Sequence, residues 1–271
     1  MGKFFICYLL LSLLLILPGR TETMKDDRVI EQNFTELSRL DWEQIFSDSG
    51  TQDWTQQWFL DGERAIIKNT PEGMLFSAGP IAQDDASHAV LWTKESFAGD
   101  LKIEFDYTRM DTINKYVNII YIQATGLGEA PYSKDITEWS HLRAIPYMKT
   151  YYQNMNLLHI SFAAFGSEDT ESDYVRARRY PVRPDLNFSE TAIPPDNFDT
   201  GLFQPGVLHH FTIIKRGHNL YMRVESGKLS RLFFWDTSRF PMVTEGRIGL
   251  RHMWTRCSRY RDIRVFDTSK Q

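Results

Sequence analysis

LKIEFDYT, residues 101–108, sets Leu101, Ile103, Phe105 and Tyr107 against Lys102, Glu104, Asp106 and Thr108. Successive side chains of an extended chain point to opposite faces, so this alternation predicts a strand with one buried face. Similar short stretches surround it at 65–68, 74–78, 88–93, 210–216, 220–225, 229–235, 246–253 and 260–266. The segment KRGHN, residues 215–219, separates two of them as a hairpin turn would. Residues 117–125 are apolar on both faces, which predicts a central strand buried between layers. Many short strands with turns between them predict an all-β fold, an antiparallel β-sandwich or jelly roll. One short helix is expected near the N-terminus, around residues 36–46.

Two long segments without strand alternation interrupt the series, 126–156 and 166–205. Loops of that length in a compact β domain usually form functional walls or lids. Between them lies LLHISFAAF, residues 157–165. Leu158, Ile160, Phe162 and Ala164 fall on one side, and Leu157, His159, Ser161 and Ala163 on the other. His159 and Ser161 therefore share the less apolar face, placed here on the open face of a sheet. The competing reading of His159 is a core histidine bonded to a neighbour.

Arginine is crowded into two stretches of a chain whose formal net charge is −4. YVRARRYPVR, residues 174–183, carries Arg176, Arg178, Arg179 and Arg183. RIGLRHMWTRCSRYRDIR, residues 247–264, carries Arg247, Arg251, Arg256, Arg259, Arg261 and Arg264. Local positive clusters on an acidic body point to a focused anion site. The planar guanidinium fork suits a carboxylate or sulfate better than an ammonium does. Interleaved Tyr174, Tyr180, Trp254 and Tyr260 offer flat surfaces for a sugar face. The bland alternative is a solvated strand face with scattered ion pairs.

The N-terminus reads as a secretory signal, residues 1–23. Lys3 is followed by an uncharged apolar run over residues 4–17 and then by Pro18 and Gly19. The run is shorter than the roughly 20 residues of a comfortable membrane span. A retained anchor is the alternative. Cys7 lies inside this segment, so Cys257 has no partner for a disulfide in the mature chain. The expected address is periplasmic or secreted, with no membrane attachment after signal removal. Residues 24–271 are expected to form a single domain. No basic tail, RNA-binding motif or zinc spacing is present, so nucleic acid is not an expected partner. No ligand spacing announces calcium.

Four patches in order resemble an uncharacterised concanavalin A-like jelly-roll family found with bacterial enzymes that degrade uronate-containing polysaccharides. They are HAVLW at 88–92; QATGLG at 123–128 with Asp135; NLLHISF at 156–162; and GRIGLRHM at 246–253, leading to Tyr260, Arg261 and Asp262. The same broad fold holds glucanases with a Glu-x-Asp-x-x-Glu strand. Glu104 and Asp106 match the first two acids, but Arg109 stands at the third position. That departure removes half of a retaining carboxylate pair.

The fold also holds lyases acting on uronic acids, and the arginine clusters suit that chemistry. A guanidinium or amide neutralises the uronate carboxylate, which makes the C5 proton acidic. A base removes that proton and an acid protonates the oxygen leaving C4. No metal or organic cofactor is required. The residues expected to do this are His159 as base and Tyr260 or His88 as acid. Arg178 and Arg251 are expected to clamp the carboxylate. Gln123 would orient it, and Arg176 would hold a sulfate or second carboxylate. His252 and Trp139 are further candidates for substrate contact.

The expected function is thus a carbon–oxygen lyase on uronate-containing oligosaccharides, sulfated ones included. Dehydration at the non-reducing end is favoured over β-eliminative chain cleavage. Other polysaccharide-degrading enzymes would act on the unsaturated product. The alternatives are a glycoside hydrolase using Glu104 and Asp106, and a non-catalytic glycan-binding protein using Trp54, Trp58, Trp139 and the arginines.

Overall fold

The computed structural model describes residues 19–166, 172–182, 185 and 187–268, with no side-chain detail before residue 26. The expected signal segment lies largely outside these residues, as does Arg183. Sixteen strands and two α-helices run in chain order. They are α1 (Gly19–Ser38), β1 (Trp42–Asp48), β2 (Trp58–Asp61), β3 (Ile66–Thr70), β4 (Gly73–Ser77), β5 (Ala89–Thr93), β6 (Phe97–Ala98) and β7 (Leu101–Arg109). Then come β8 (Asn118–Gly126), α2 (Met148–Asn154), β9 (Met155–Ala164), β10 (Tyr174–Tyr180), β11 (Ala192–Phe198) and β12 (Leu208–Arg216). The chain ends with β13 (Asn219–Ser226), β14 (Leu229–Asp236), β15 (Glu245–His252) and β16 (Cys257–Thr268).

The strands form two antiparallel eight-stranded sheets. The first runs β14-β13-β12-β7-β16-β4-β3, with β1 also on β16. The second runs β11-β10-β9-β8-β15-β5-β2, with β6 also on β15. The alternation in residues 101–108 has the consequence expected of it. Ile103, Phe105 and Tyr107 point into the space between the sheets and meet Ile120, Leu158, Ile160 and Phe162 from the other side. β8 is central and every one of its residues is buried. The fold is the expected β-sandwich.

Several local expectations need correction. The helix near the N-terminus ends at Ser38, and residues 42–46 belong to β1. Helix α1 lays Phe34 against Ile214 and Tyr221 on the outer face of the first sheet. Residues 166–205 are not strand-poor, because they contain β10 and β11. The arginines of β10 masked its alternation from a hydrophobicity reading, since its outer face is almost wholly polar.

The second sheet carries a second, smaller core on its far side. Trp92, Ile119, Tyr121, Leu157 and Tyr180 project outward and are covered by Ile136, Trp139 and Tyr151 from residues 127–154. One buried ion pair fastens that cover. Arg143 Nε donates to Asp61 Oδ2 at 2.6 Å, and the same oxygen accepts from Trp92 Nε1 (2.7 Å) and the Tyr151 hydroxyl (2.9 Å). A buried carboxylate needs that many donors to offset its lost hydration.

Candidate functional site

Strand register assembles the outer face of the second sheet into rungs. One rung reads Arg178, His159, Tyr121, Gly249, Trp92 across β10, β9, β8, β15 and β5. The next reads Arg176, Ser161, Ile119, Arg251, Val90, ending at Asp61 of β2. Residues from both arginine clusters therefore reach one face, because Arg176, Arg178 and Arg251 share its parity. Gly249 is needed within its rung. A Cβ there would lie 2.4 Å from the Trp92 ring, so any side chain would break the Trp92–Tyr121 stack at 5.4 Å.

His159 sits at the centre of this face. Its Nδ1 is 2.9 Å from the Tyr180 hydroxyl and its Nε2 is 2.7 Å from Ser161 Oγ. Burial pushes its pKa well below the ordinary histidine value, and Arg178, Arg251 and Arg176 push it further. The ring is therefore neutral at neutral pH. It is also enclosed, with only 2% of its surface exposed, so the open sheet face expected for His159 and Ser161 is instead covered, with Ile136, Trp139 and Tyr151 packed over it.

Arg251 is the most unusual group of the face. It is fully buried, yet no carboxylate pairs with it among the described residues. Its Nη2 donates to the Pro146 carbonyl (2.7 Å) and lies 2.8 Å from His88 Nδ1. The guanidinium lies over the Tyr151 ring at 4.5 Å. Its Nε and Nη1 are within strict hydrogen-bond geometry of no protein atom, as are His88 Nε2 and the Trp254 indole nitrogen, while the Tyr121 hydroxyl lies close enough to the guanidinium to interact with it. Since the guanidinium can only donate, the neutral His88 ring accepts at Nδ1 and carries its proton on Nε2. Burial and then the Arg251 charge bring the His88 pKa down to about 2. The His88 ring stacks on Trp254 at 4.1 Å.

The other two arginines differ in how far they are satisfied. Arg178 donates through Nη1 to the Phe188 carbonyl and to Thr191 Oγ1, over the Phe188 ring. It has no carboxylate partner among the described residues. Arg176 is already neutralised by Asp196 of β11 at 2.6 Å. Its expected role with a second anion is therefore weakened.

Four expected site residues lie elsewhere. His252 and Tyr260 point between the sheets, with Nε2 and the hydroxyl 2.9 Å apart and the His252 ring stacked on Phe76 at 4.2 Å. Tyr260 thus cannot serve the outer face as an acid. Gln123 adopts a φ of 53° at a bulge where β8 loses register. Its amide donates to the carbonyls of Phe97 and Gly99. Trp139 is buried beneath the cover, where its ring faces Arg143, so it offers no sugar platform. Trp58 is likewise buried and donates to Asp48. Glu104 and Asp106 lie on the outer face of the first sheet, paired with Lys102, Arg264 and His210. That is the solvated-strand reading of these acids. Asp262, at the end of the fourth resemblance patch, pairs with Arg261.

Tyr180, expected as a flat surface for a sugar, is buried and presents its hydroxyl to His159 instead, and the Tyr121 hydroxyl was not anticipated. The signal was present as parity: Arg176, Arg178 and Tyr180 stand two apart on the strand beside His159. Among the described residues, no group of three His, Cys, Asp or Glu side chains could hold a metal ion.

Residues 47–265 match the family model described as a domain of unknown function, DUF1961. The chain belongs to that family. No curated protein matches it. Among solved structures it is similar to a Bacillus subtilis protein of unknown function with a galectin-like fold. The two share 16% identity at a TM-score of 0.57, over 85% of this chain and 100% of that one. It is also similar to the exoplasmic/lumenal domain of VIP36 bound to Ca2+ and Man3GlcNAc, with 12% identity, a TM-score of 0.55, and 85% and 91% coverage. The lectin UEA-II in complex with galactose matches at 9% identity and a TM-score of 0.52, over 82% and 98%. At these identities the likeness establishes the DUF1961 chain's lectin-like sandwich fold and not its ligand.

Proposed function

We propose that the outer face of the second sheet binds an acidic sugar and acts on it as a carbon–oxygen lyase, by dehydration of a terminal uronate. One observation carries the reading. Arg251 is buried, and among the described residues no carboxylate pairs with it. A buried charge left uncompensated costs several kcal/mol, so a ligand carboxylate is the natural counterion. Arg178 supplies the second fork.

The chemistry follows from what surrounds that carboxylate. Its charge, held by Arg251 and Arg178, offsets the guanidinium field that depresses His159, so the imidazole becomes more basic when the sugar is bound. The C5 proton passes to the Tyr180–His159 pair: the Tyr180 oxygen takes it while the hydroxyl proton moves to Nδ1. The C5–H electrons form the C4=C5 double bond and the C4–O bond breaks. The Tyr121 hydroxyl, beside the Arg251 guanidinium, donates to the departing oxygen, which leaves as water. His88 holds Arg251 in place. An exported, periplasmic location would bring such an enzyme to oligosaccharides.

The test is incubation with a panel of uronate oligosaccharides, read by ultraviolet absorbance of the unsaturated product and by mass spectrometry. Loss of one water at constant chain length is expected. Two fragments, one unsaturated, would mean chain cleavage by the same elimination. Two saturated fragments would mean hydrolysis and contradict the reading.

The second reading is non-catalytic glycan binding. Sugar-bound neighbours of the same fold support it. It predicts affinity for the panel with no change in mass.

A further inference from the structure

We infer that a second acidic-sugar subsite lies beside the first, in the cavity between the end of β10 and the turn that follows β14. The inference rests on the acidic-sugar reading of Arg251 and extends the ligand from one ring to an oligosaccharide. The cavity measures about 390 Å3, within the roughly 300–1,000 Å3 range of small-ligand sites. Arg179, Arg239, Asn156, Thr191 and Phe240 line it, with Glu190 at the rim.

Arg179 is the anchor. It is 4% exposed, and among the described residues no carboxylate pairs with it. Its guanidinium donates through Nε to the Pro241 carbonyl at 3.0 Å and through Nη2 to Asn156 Oδ1 at 2.5 Å. Burial lowers its pKa to about 10, so it stays charged at neutral pH. Arg239, an exposed neighbour, donates to the Ala192 carbonyl, again without a carboxylate partner among the described residues. Two guanidiniums beside an amide and an apolar wall match the acid group and flat face of a charged sugar ring. The nearby carboxylate of Glu190 favours a ring that also presents hydroxyl donors.

One residue links the subsite to the first. Thr191 lines the cavity, and its Oγ1 accepts from Arg178 of the His159 rung at 3.0 Å. Parity explains why adjacent residues of one strand serve both. Arg178 faces outward with His159, while Arg179 turns to the other side of β10 and reaches the cavity at the sheet's end.

Calorimetric titration with a panel of uronate trisaccharides and the matching monosaccharides tests this. The panel is run on the full chain and on Arg239→Ala and Arg179→Lys. Trisaccharides should bind more tightly than monosaccharides. Each variant should weaken trisaccharide binding by about 10-fold or more, the worth of a charge-assisted hydrogen bond, and leave monosaccharide binding unchanged. Arg239 is exposed, so its variant keeps the test valid should Arg179→Lys fail to fold. Equal affinity for one ring and three, or an unchanged trisaccharide affinity in Arg239→Ala, overturns the subsite while the first site stands. No binding of any uronate overturns both.

Discussion

The molecule buries two histidine–tyrosine pairs of the same length. His159 and Tyr180 lie 2.9 Å apart on the outer face of the second sheet, and His252 and Tyr260 lie 2.9 Å apart between the sheets. Burial lowers both histidine pKa values, that of His252 to about 3. What differs is the company. His252 stacks on Phe76 and Tyr260 packs against Phe105 and Tyr107. His159 has Arg178, Arg251 and Arg176 close enough to act on its charge, and Arg251 has no acid of its own. A buried imidazole bonded to a phenol is therefore not a site by itself. The unbalanced positive charge beside it is what asks for a ligand.

The widest separation between the two pairs is expected from alanine. His159→Ala should lower turnover of the uronate substrate by at least ~10²-fold with the fold retained, the usual worth of a general base. Normal turnover would remove His159 from the mechanism. Arg251→Lys comes next. A point charge does not replace a fork, and loss of a charge-assisted bond predicts a roughly 10- to 100-fold fall in kcat/KM. Unchanged kinetics would assign Arg251 to structure.

His252→Ala acts on the other pair and should show up as stability. Removing the His252 partner of the buried Tyr260 hydroxyl costs about 1–3 kcal/mol, while uronate affinity should hold. A loss of affinity without a loss of stability would put His252 back near the ligand. The smallest effect is the response to acid. His88, His159 and His252 are kept neutral in the fold but take up a proton near pH 6.5 when unfolded. Stability is therefore intact above that pH and falls below it, by up to about 1.4 kcal/mol per pH unit for each histidine. Urea melts of wild type and His159→Gln between pH 7 and 5 should show a shallower fall in the variant. Parallel curves would mean that His159 is not held neutral.

Much of the sandwich was legible because its strands alternate cleanly. The sequence of β7 and the doubly apolar β8 point to the core and centre that they form. His159 and Ser161 share the less apolar face of β9 for the same reason. What escaped was set by partners and by bulges. Ala163 has a φ of 43°, so the parity of β9 flips there and Ala163, not Ala164, enters the main core. A similar bulge turns Gln123 away from its expected place. The strand β10 was missed because its outward positions are Tyr174, Arg176, Arg178 and Tyr180, which lack the apolar signature of a covered face. No sequence pattern reveals that Asp196 neutralises Arg176 while nothing neutralises Arg251, since that depends on which strands become neighbours. Tyr260 and His252 were misassigned because their polar tips suggested a site, whereas they satisfy each other inside the core.

The central claim is that Arg251 stands ready for an acid that the protein does not supply. Thermal unfolding of wild type and Arg251→Met, each with and without a uronate oligosaccharide, tests it most directly. Replacing an uncompensated buried charge with an apolar chain of similar length should raise the melting temperature without ligand. Only the wild type should gain further from the sugar. A variant that melts lower than wild type, yet is stabilised by the sugar to the same extent, would contradict the account.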